Sequence, residues 1–376
     1  MECERVQEGR TTLIVPVQDP NHPFPPASAH VFYNRRMEIN RDATILFLAC
    51  ACPDVYLDAM GATGARGVRI GNELGIPVVI NDRDPAAAAL IARNAQENGI
   101  NCEILCEDAN TLMSRRKFDA IDIDPFGTPA PFTDAACRSA RSYLFVSATD
   151  TAPLCGAHLK AGIRRYGAVP RNTEYHGEVG LRILLGFVAR EMVKYDRGIQ
   201  PLFSFSYEHF IRLHLGVKDG VKAAEATIGH IGFILQCPNC PFRSEVVGPL
   251  PWRETCPLCS ETLAPVGPLW IGPVNEPDIL DRMLQVLPEY TFGSAIHLQK
   301  LLLTCREELS IAGFYDYHAL AKRLRLSPPK IGDLIQAIRT AGYPATRTHF
   351  SGTGIKTTAP LPLIDAALRE NQPGPA

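Results

Sequence analysis

The chain has 376 residues, a formal net charge of −2 and 46% hydrophobic content. That length predicts two or three domains with a sizeable core, and the near-neutral charge excludes a globally basic nucleic-acid binder, so any such function must rest on local patches. No apolar run approaches the roughly 18 residues that span a bilayer, and the first residues lack a signal peptide's apolar segment, so a cytoplasmic chain with 12 reduced cysteines is expected.

Residues 6–17 read as a hairpin, and a Pro-rich loop follows over 16–26. Residues 34–47 read as a helix feeding the core. Strands then alternate with helices. Strands are predicted over 53–58, 77–82, 102–106, 118–123 and 142–148, with a helix over 85–98 that Pro85 opens and Gly99 ends. This alternation predicts a doubly wound α/β sheet that binds ligands at the C-terminal ends of its strands. A helix over 178–195 is followed by two alternating runs, 202–207 and 210–217, that suit an antiparallel pair on the sheet's edge. Beyond 222 the chain becomes rich in Gly, Pro and Cys up to 273, then helical to about 325. A boundary near 220 divides it into domains 1–220 and 221–376.

The chemistry gathers at the strand ends. Asp58 and the small-residue turn Met60-Gly61-Ala62-Thr63-Gly64-Ala65-Arg66-Gly67 follow the first strand, so a ligand can approach the backbone closely. Asp82 ends the second strand, placed to hold ribose hydroxyls. Asp108-Ala109 ends the third, placed to read an adenine edge. Asp124-Pro125-Phe126-Gly127 ends the fourth. There a carboxylate can accept from a planar amine, a proline turn presents a carbonyl with no N–H of its own, and an aromatic face can stack on a base. Asp122, two residues earlier, reads as structural. Four successive strand-end carboxylates are the layout of a Rossmann-like class I methyltransferase using S-adenosylmethionine. A nicotinamide dehydrogenase has no use for an acid and an aromatic side by side at the fourth. Arg41 and Arg66 suit the methionine carboxylate as charge-assisted forks.

Cys237-Pro238-Asn239-Cys240 and Cys256-Pro257-Leu258-Cys259 are two knuckles separated by 15 residues, the spacing of a four-cysteine structural zinc ribbon over 236–264. A full thiolate shell leaves the metal no open position for catalysis. Further on, helices over 317–324 and 330–341 precede a hairpin of 345–350 and 354–358 with its turn at 351–353. The result is a winged-helix-like module within 314–358 in an α+β C-terminal domain. From 318 to 358 there are seven Lys or Arg (322, 323, 325, 330, 339, 347 and 356) against the single acid Asp333, a local phosphate footprint that points to RNA.

Four motifs, Asn40-Arg41-Asp42, Ala62-Thr63-Gly64-Ala65-Arg66-Gly67, Asp124-Pro125-Phe126-Gly127 and the run from Thr149-Asp150-Thr151 to Gly156, resemble the tRNA (guanine(26)-N2)-dimethyltransferase family. Tyr315-Asp316, His318 and the run Ala345-Thr346-Arg347-Thr348-His349-Phe350 resemble that family's C-terminal domain, so the resemblance covers nearly the whole chain. It departs at Arg35, where the family usually has proline, and at Gly61, where serine is common. The resemblance implies methyl transfer from S-adenosylmethionine to guanine N2 in tRNA, giving N2-methyl- and N2,N2-dimethylguanine. It assigns Arg41, Arg66, Asp82, Asp108 and Ala109 to the cofactor and gives the amine to Asp124. It places Phe126 against the guanine, with Phe32 covering the other side. The competing readings are an adenine N6 methyltransferase on RNA or DNA and a non-catalytic zinc-containing RNA-binding protein. The first usually carries a second proline where Phe126 stands, and the second needs none of the strand-end carboxylates.

Overall fold

The computed structural model describes residues 2–17, 31–249 and 254–372, so most of the Pro-rich loop expected over 16–26 lies outside the described residues. The chain opens with the expected hairpin, β1 (Cys3–Glu8) and β2 (Thr11–Pro16), in antiparallel register. A 3-10 turn at Arg35–Met37, capped by the Asn34 side chain accepting from the Arg36 amide, leads into α1 (Glu38–Ala51). The helix expected from 34 therefore starts at 38.

Seven strands form the central sheet. β3 (Tyr56–Asp58), β4 (Val78–Asn81), β5 (Glu103–Leu105), β6 (Phe118–Ile123) and β7 (Ala140–Ala148) are parallel. They alternate with α2 (Ala65–Leu74), α3 (Pro85–Glu97), α4 (Ala109–Arg115) and α5 (Ala130–Ser139). After β7 come α6 (Thr151–Leu154), α7 (Leu159–Tyr166) and α8 (His176–Val193), then β8 (Arg197–Tyr207) and β9 (Phe210–Asp219). β9 pairs antiparallel with β7 and β8 closes the edge, in the order β5-β4-β3-β6-β7-β9-β8. The winding reverses between β3 and β6, which makes their C-terminal ends the binding crevice of such a sheet.

Alternation along the strands builds both cores. Leu57, Val79, Ile121, Ile123 and Leu144 face one buried cluster, while their neighbours Tyr56, Val78, Ile80, Ala120 and Phe145 face the other. Asp122 falls on the second face, in a position otherwise held by hydrophobic side chains.

Next comes α9 (Val221–Ile228), then a three-stranded sheet of β10 (Ile231–Gln236), β11 (Arg243–Val247) and β12 (Ala264–Trp270). Helices α10 (Pro277–Val286) and α11 (Ala295–Glu307) follow. The cores do not divide at 220. Ile234, Val266 and Leu269 share a cluster with Leu181 and Leu185 of α8, and Leu280, Met283, Leu298 and Leu302 share one with Ile45 and Phe47 of α1. An independent core begins only near 315. It comprises β13 (Tyr315–Asp316), α12 (Tyr317–Arg323), α13 (Ile331–Thr340), β14 (Ala345–Thr348), β15 (Ser351–Thr357) and α14 (Leu361–Glu370), packed around Leu320, Leu334, Ile338, Ile355 and Ile364. Its hairpin turns at His349 and Phe350 rather than at 351–353. Glu308 fixes that turn, accepting hydrogen bonds from Thr348 Oγ1 at 2.6 Å and from His349 Nδ1 at 2.6 Å.

Candidate active site

The glycine loop leaves β3 at Asp58 and enters α2 at Ala65. Asp58 turns back and accepts from the Gly67 amide at 3.0 Å. Burial pushes its carboxyl up to about 7 against the opposing pull of Arg66. A Cβ on Gly61 would lie 2.6 Å from Cγ2 of Ile80, so close packing on β4 explains glycine here. Asp82 braces the same loop, accepting from the Ala62 amide at 2.9 Å and from Asp84 at 2.9 Å.

Asp124, Pro125 and Phe126 follow β6 directly. Arg66 donates from Nη2 to the Asp124 carboxylate, while its Nη1 reaches Thr44 Oγ1 at 3.0 Å and its Nε lies 3.5 Å from Asp122. Asp122 is fully buried, forked by Arg212 and bonded by the Tyr56 hydroxyl at 2.5 Å. Burial would raise its carboxyl, but Arg212 and Arg66 outweigh burial and hold it well below the carboxylate range. With no surface left for substrate, Asp122 is structural. Thr149 locks the Asp-Pro-Phe-Gly turn: its hydroxyl accepts from the Gly127 amide at 2.9 Å and its amide donates to the Gly127 carbonyl at 3.0 Å. Phe126 is 70% exposed and meets Phe32 edge-on, with centroids 5.1 Å apart.

One cavity brings Phe32, Arg41, Arg66, Asp124, Pro125 and Phe126 together with Asp58 and the glycine loop. Asp82 reaches it only through the Ala62 amide. Asp108 caps α4, accepting from Thr111, and with Ala109 it stands outside the cavity's lining. The Arg41 guanidinium is already engaged by Glu8, with Nε 2.7 Å from Oε2. Burial would raise the Glu8 carboxyl, but Arg41 and Arg69 overcome it and hold it at about 2. The N-terminal hairpin is thereby fastened to the cavity wall. Asn34 and His209 line the cavity without a role assigned from the sequence, and Thr149, which the sequence shows only as the start of a motif, lines it too. His209 comes from the β8–β9 turn, which the antiparallel edge carries back to the active end of the sheet. The tight turn between two alternating runs was the available signal.

The four cysteines converge. Cys237 and Cys259 sulfurs are 3.5 Å apart, Cys240 and Cys256 3.5 Å, and Cys240 and Cys259 3.8 Å. The Asn239 and Leu258 amides each lie 3.4 Å from the first sulfur of their knuckle. Sulfurs around a tetrahedral zinc with bonds of about 2.3 Å stand about 3.8 Å apart, so the donor set and spacing fit that ion.

The basic footprint of the last module is smaller than its sequence suggests. Lys356 is 1% exposed and bonded to Glu178 at 2.7 Å and Glu308 at 3.1 Å, and Arg323 pairs with Asp365. His349 is buried against Glu308, so it packs beneath the hairpin rather than facing outward.

The family profile described as N2,N2-dimethylguanosine tRNA methyltransferase matches residues 9–369. A protein of Methanoregula boonei called tRNA (guanine(26)-N(2))-dimethyltransferase is 58% identical over 374 residues, covering 99% of this chain and all of its own length. One of the same description from Methanoculleus marisnigri is 56% identical, covering 98% of this chain and 99% of its own. Among solved structures, Trm1 from Pyrococcus horikoshii in complex with S-adenosyl-L-methionine superposes with a TM-score of 0.88 at 37% identity, covering 97% of this chain and 99% of that one.

Proposed function

This chain belongs to the N2,N2-dimethylguanosine tRNA methyltransferase family, and from that premise we propose that Asp124 is the catalytic residue of its reaction. The reaction is transfer of methyl groups from S-adenosylmethionine to the exocyclic N2 of guanine 26 in tRNA. One observation carries the assignment: Asp124, Pro125, Phe126, Phe32 and the glycine loop line a single cavity at the ends of the parallel strands.

S-adenosylmethionine, when bound, supplies a methyl group already activated on a sulfonium, so no metal is needed for the transfer. Guanine N2 is a poor nucleophile because its lone pair is delocalised into the ring. The Asp124 carboxylate accepts one N–H of that amine, localises the lone pair and aligns the nitrogen with the methyl carbon, and it can take the proton that the amine must release once the methyl is attached. The Pro125 carbonyl accepts the other N–H. Phe126 and Phe32 flank the base and offset the cost of leaving the stack by roughly 1–3 kcal/mol each. Their rings touch in this structure, so they must part to admit a base between them.

Arg41 and Arg66 serve the amino-acid end of the cofactor, with Asp82, Asp108 and Ala109 on its adenosine side. Asp82 acts there through the loop amides as well. Cys237, Cys240, Cys256 and Cys259 hold a structural zinc ion. The winged-helix-like module within 314–358 contributes tRNA contacts through the cations that remain at its surface.

Methyl transfer from labelled S-adenosylmethionine to a tRNA transcript tests the reading, with guanine 26 kept or replaced by adenine. Label on N2 of guanine 26, lost on replacement, supports it. Label on adenine, or transfer indifferent to base 26, rejects it.

A further inference from the structure

From 151 to 173 the chain contains no acidic residue, yet it holds Lys160, Arg164, Arg165 and Arg171. This is the stretch that leaves the active site: Thr149 locks the Asp124 turn, and α6 begins two residues later. Its fold sorts the cations. α7 buries Gly162 and Tyr166, and a Cβ on Gly162 would lie 2.7 Å from the Pro170 ring, so the helix rests flat on the segment that follows it. That orientation turns Leu159, Lys160, Ile163 and Arg164 to the surface, with Leu159 45% and Ile163 47% exposed. Arg165 points the other way and pairs with Asp150 at 2.9 Å. The loop before α7 lies against the backbone of Arg171 and Asn172, keeping exposed Arg171 beside the same helix. Among the described residues, Lys160, Arg164 and Arg171 have no acidic partner.

The neighbouring cleft gives this surface a direction. It is lined by Thr151, Asn172, His176, Tyr207, Glu208 and Phe350, so it runs from the turn that carries His209 of the active-site cavity to the hairpin of the C-terminal module. A second basic cleft at the opposite end of the sheet makes the contrast. Its Arg115, Arg116, Arg138 and Arg197 are neutralised by Glu107, Glu103, Asp134 and Asp219, which leaves Lys117 and Arg141 without an acidic partner among the described residues, far from the catalytic cavity.

We propose that Lys160, Arg164 and Arg171 form a ledge that binds backbone phosphates of the tRNA strand flanking guanine 26. Leu159 and Ile163 offer apolar contact to the sugars between them. The inference rests on the assignment of tRNA as substrate. Its physical basis is a row of uncompensated cations on a chain of net charge −2, beside the cleft that joins the His209 turn to the C-terminal hairpin.

The test uses the full-length protein and a tRNA transcript carrying guanine 26. Lys160→Gln/Arg164→Gln/Arg171→Gln is expected to raise the KM for tRNA by about 10- to 100-fold at moderate salt, and to lower the slope of log Kd against log salt by about 2 to 3, one counterion per lost contact. Turnover at saturating tRNA and affinity for S-adenosylmethionine should move little. Each single substitution should lower the slope by about 1, which keeps the test decisive if the triple variant folds poorly. Lys117→Gln/Arg141→Gln, at the far end of the sheet, is the control with no effect. An unchanged KM and salt slope in folded variants overturns the ledge. Absence of methyl transfer by the wild type overturns the substrate assignment instead.

Discussion

Arg66 holds Asp124 by a direct ion pair, and the same guanidinium reaches Thr44 of α1 and approaches Asp122 of β6. A residue in the first turn of α2 thus ties the glycine loop, the core helix and the fourth strand end into one rigid unit. The Asp124 turn is held from the other side by Thr149, so the carboxylate is fixed before any substrate arrives. Preorganisation of this kind lets a single carboxylate orient a weak nucleophile.

Asp124→Asn keeps the shape of the side chain but removes the charge proposed to localise the amine's lone pair. A fall in kcat of about 100- to 1,000-fold is expected, with S-adenosylmethionine affinity kept within a few-fold. Single-turnover methylation and calorimetric binding measure the two quantities separately. Wild-type turnover in this variant would remove Asp124 from the mechanism.

Phe32→Ala and Phe126→Ala each remove one face of the proposed base site. Either should weaken productive tRNA binding by roughly 1–3 kcal/mol without altering S-adenosylmethionine binding. The two rings contact each other, so the double variant should cost less than the sum of the singles. Additive losses in a double-mutant cycle would show that the rings act on separate parts of the substrate.

The central sheet is legible because its strands are short apolar runs between helical spacings, and the run 118–123 coincides with β6 residue for residue. The strand-end acids could be found the same way, since a carboxylate after a buried strand is conspicuous. Their roles were harder to read. Asp122 and Asp124 are two residues apart and differ in what surrounds them: Asp122 lies inside β6 under Arg212 and Tyr56, while Asp124 lies just past its end in the cavity, and the Glu8, Glu178 and Glu308 that engage Arg41 and Lys356 come from distant segments. Long-range ion pairing and long-range packing leave no periodic trace, so the charge count over 318–358 overstates the exposed cations and the composition change near 220 does not mark a boundary between cores.

The His349–Glu308 pair predicts how stability varies with pH. Burial opposes the charged imidazole, but Cys305 and Glu308 beside it outweigh burial and raise His349 to about 10. Burial also opposes the Glu308 carboxylate, which Lys356 and His349 hold well below its ordinary range. The raised imidazole contributes fully below its unfolded value of about 6.5, and that contribution is lost as pH rises towards 10. The depressed carboxylate contributes above about 4.3 and loses that contribution on acidification. Urea titrations of the wild type should therefore show the pair at its strongest between about pH 4.5 and 6.5 and weakening from 7 to 10. His349→Leu should cost about 3 kcal/mol at pH 6 and flatten the alkaline decline. An equally steep decline in the variant would assign it to other groups.

Zinc removal should act locally. Cys237, Cys256, Leu235 and Leu263 form a small cluster of their own, too small to hold two knuckles together without the metal. Ile234 and Val266, by contrast, belong to the large core beside α8, so the strands that carry the knuckles remain anchored. Native mass spectrometry is expected to find one zinc per chain. Chelation or Cys256→Ser should lower the melting transition by about 5 to 10 °C and expose 237–263 to hydrogen exchange, while S-adenosylmethionine binding persists. Exchange that spreads into β6 and β7 on chelation would instead make the metal a support of the catalytic sheet itself.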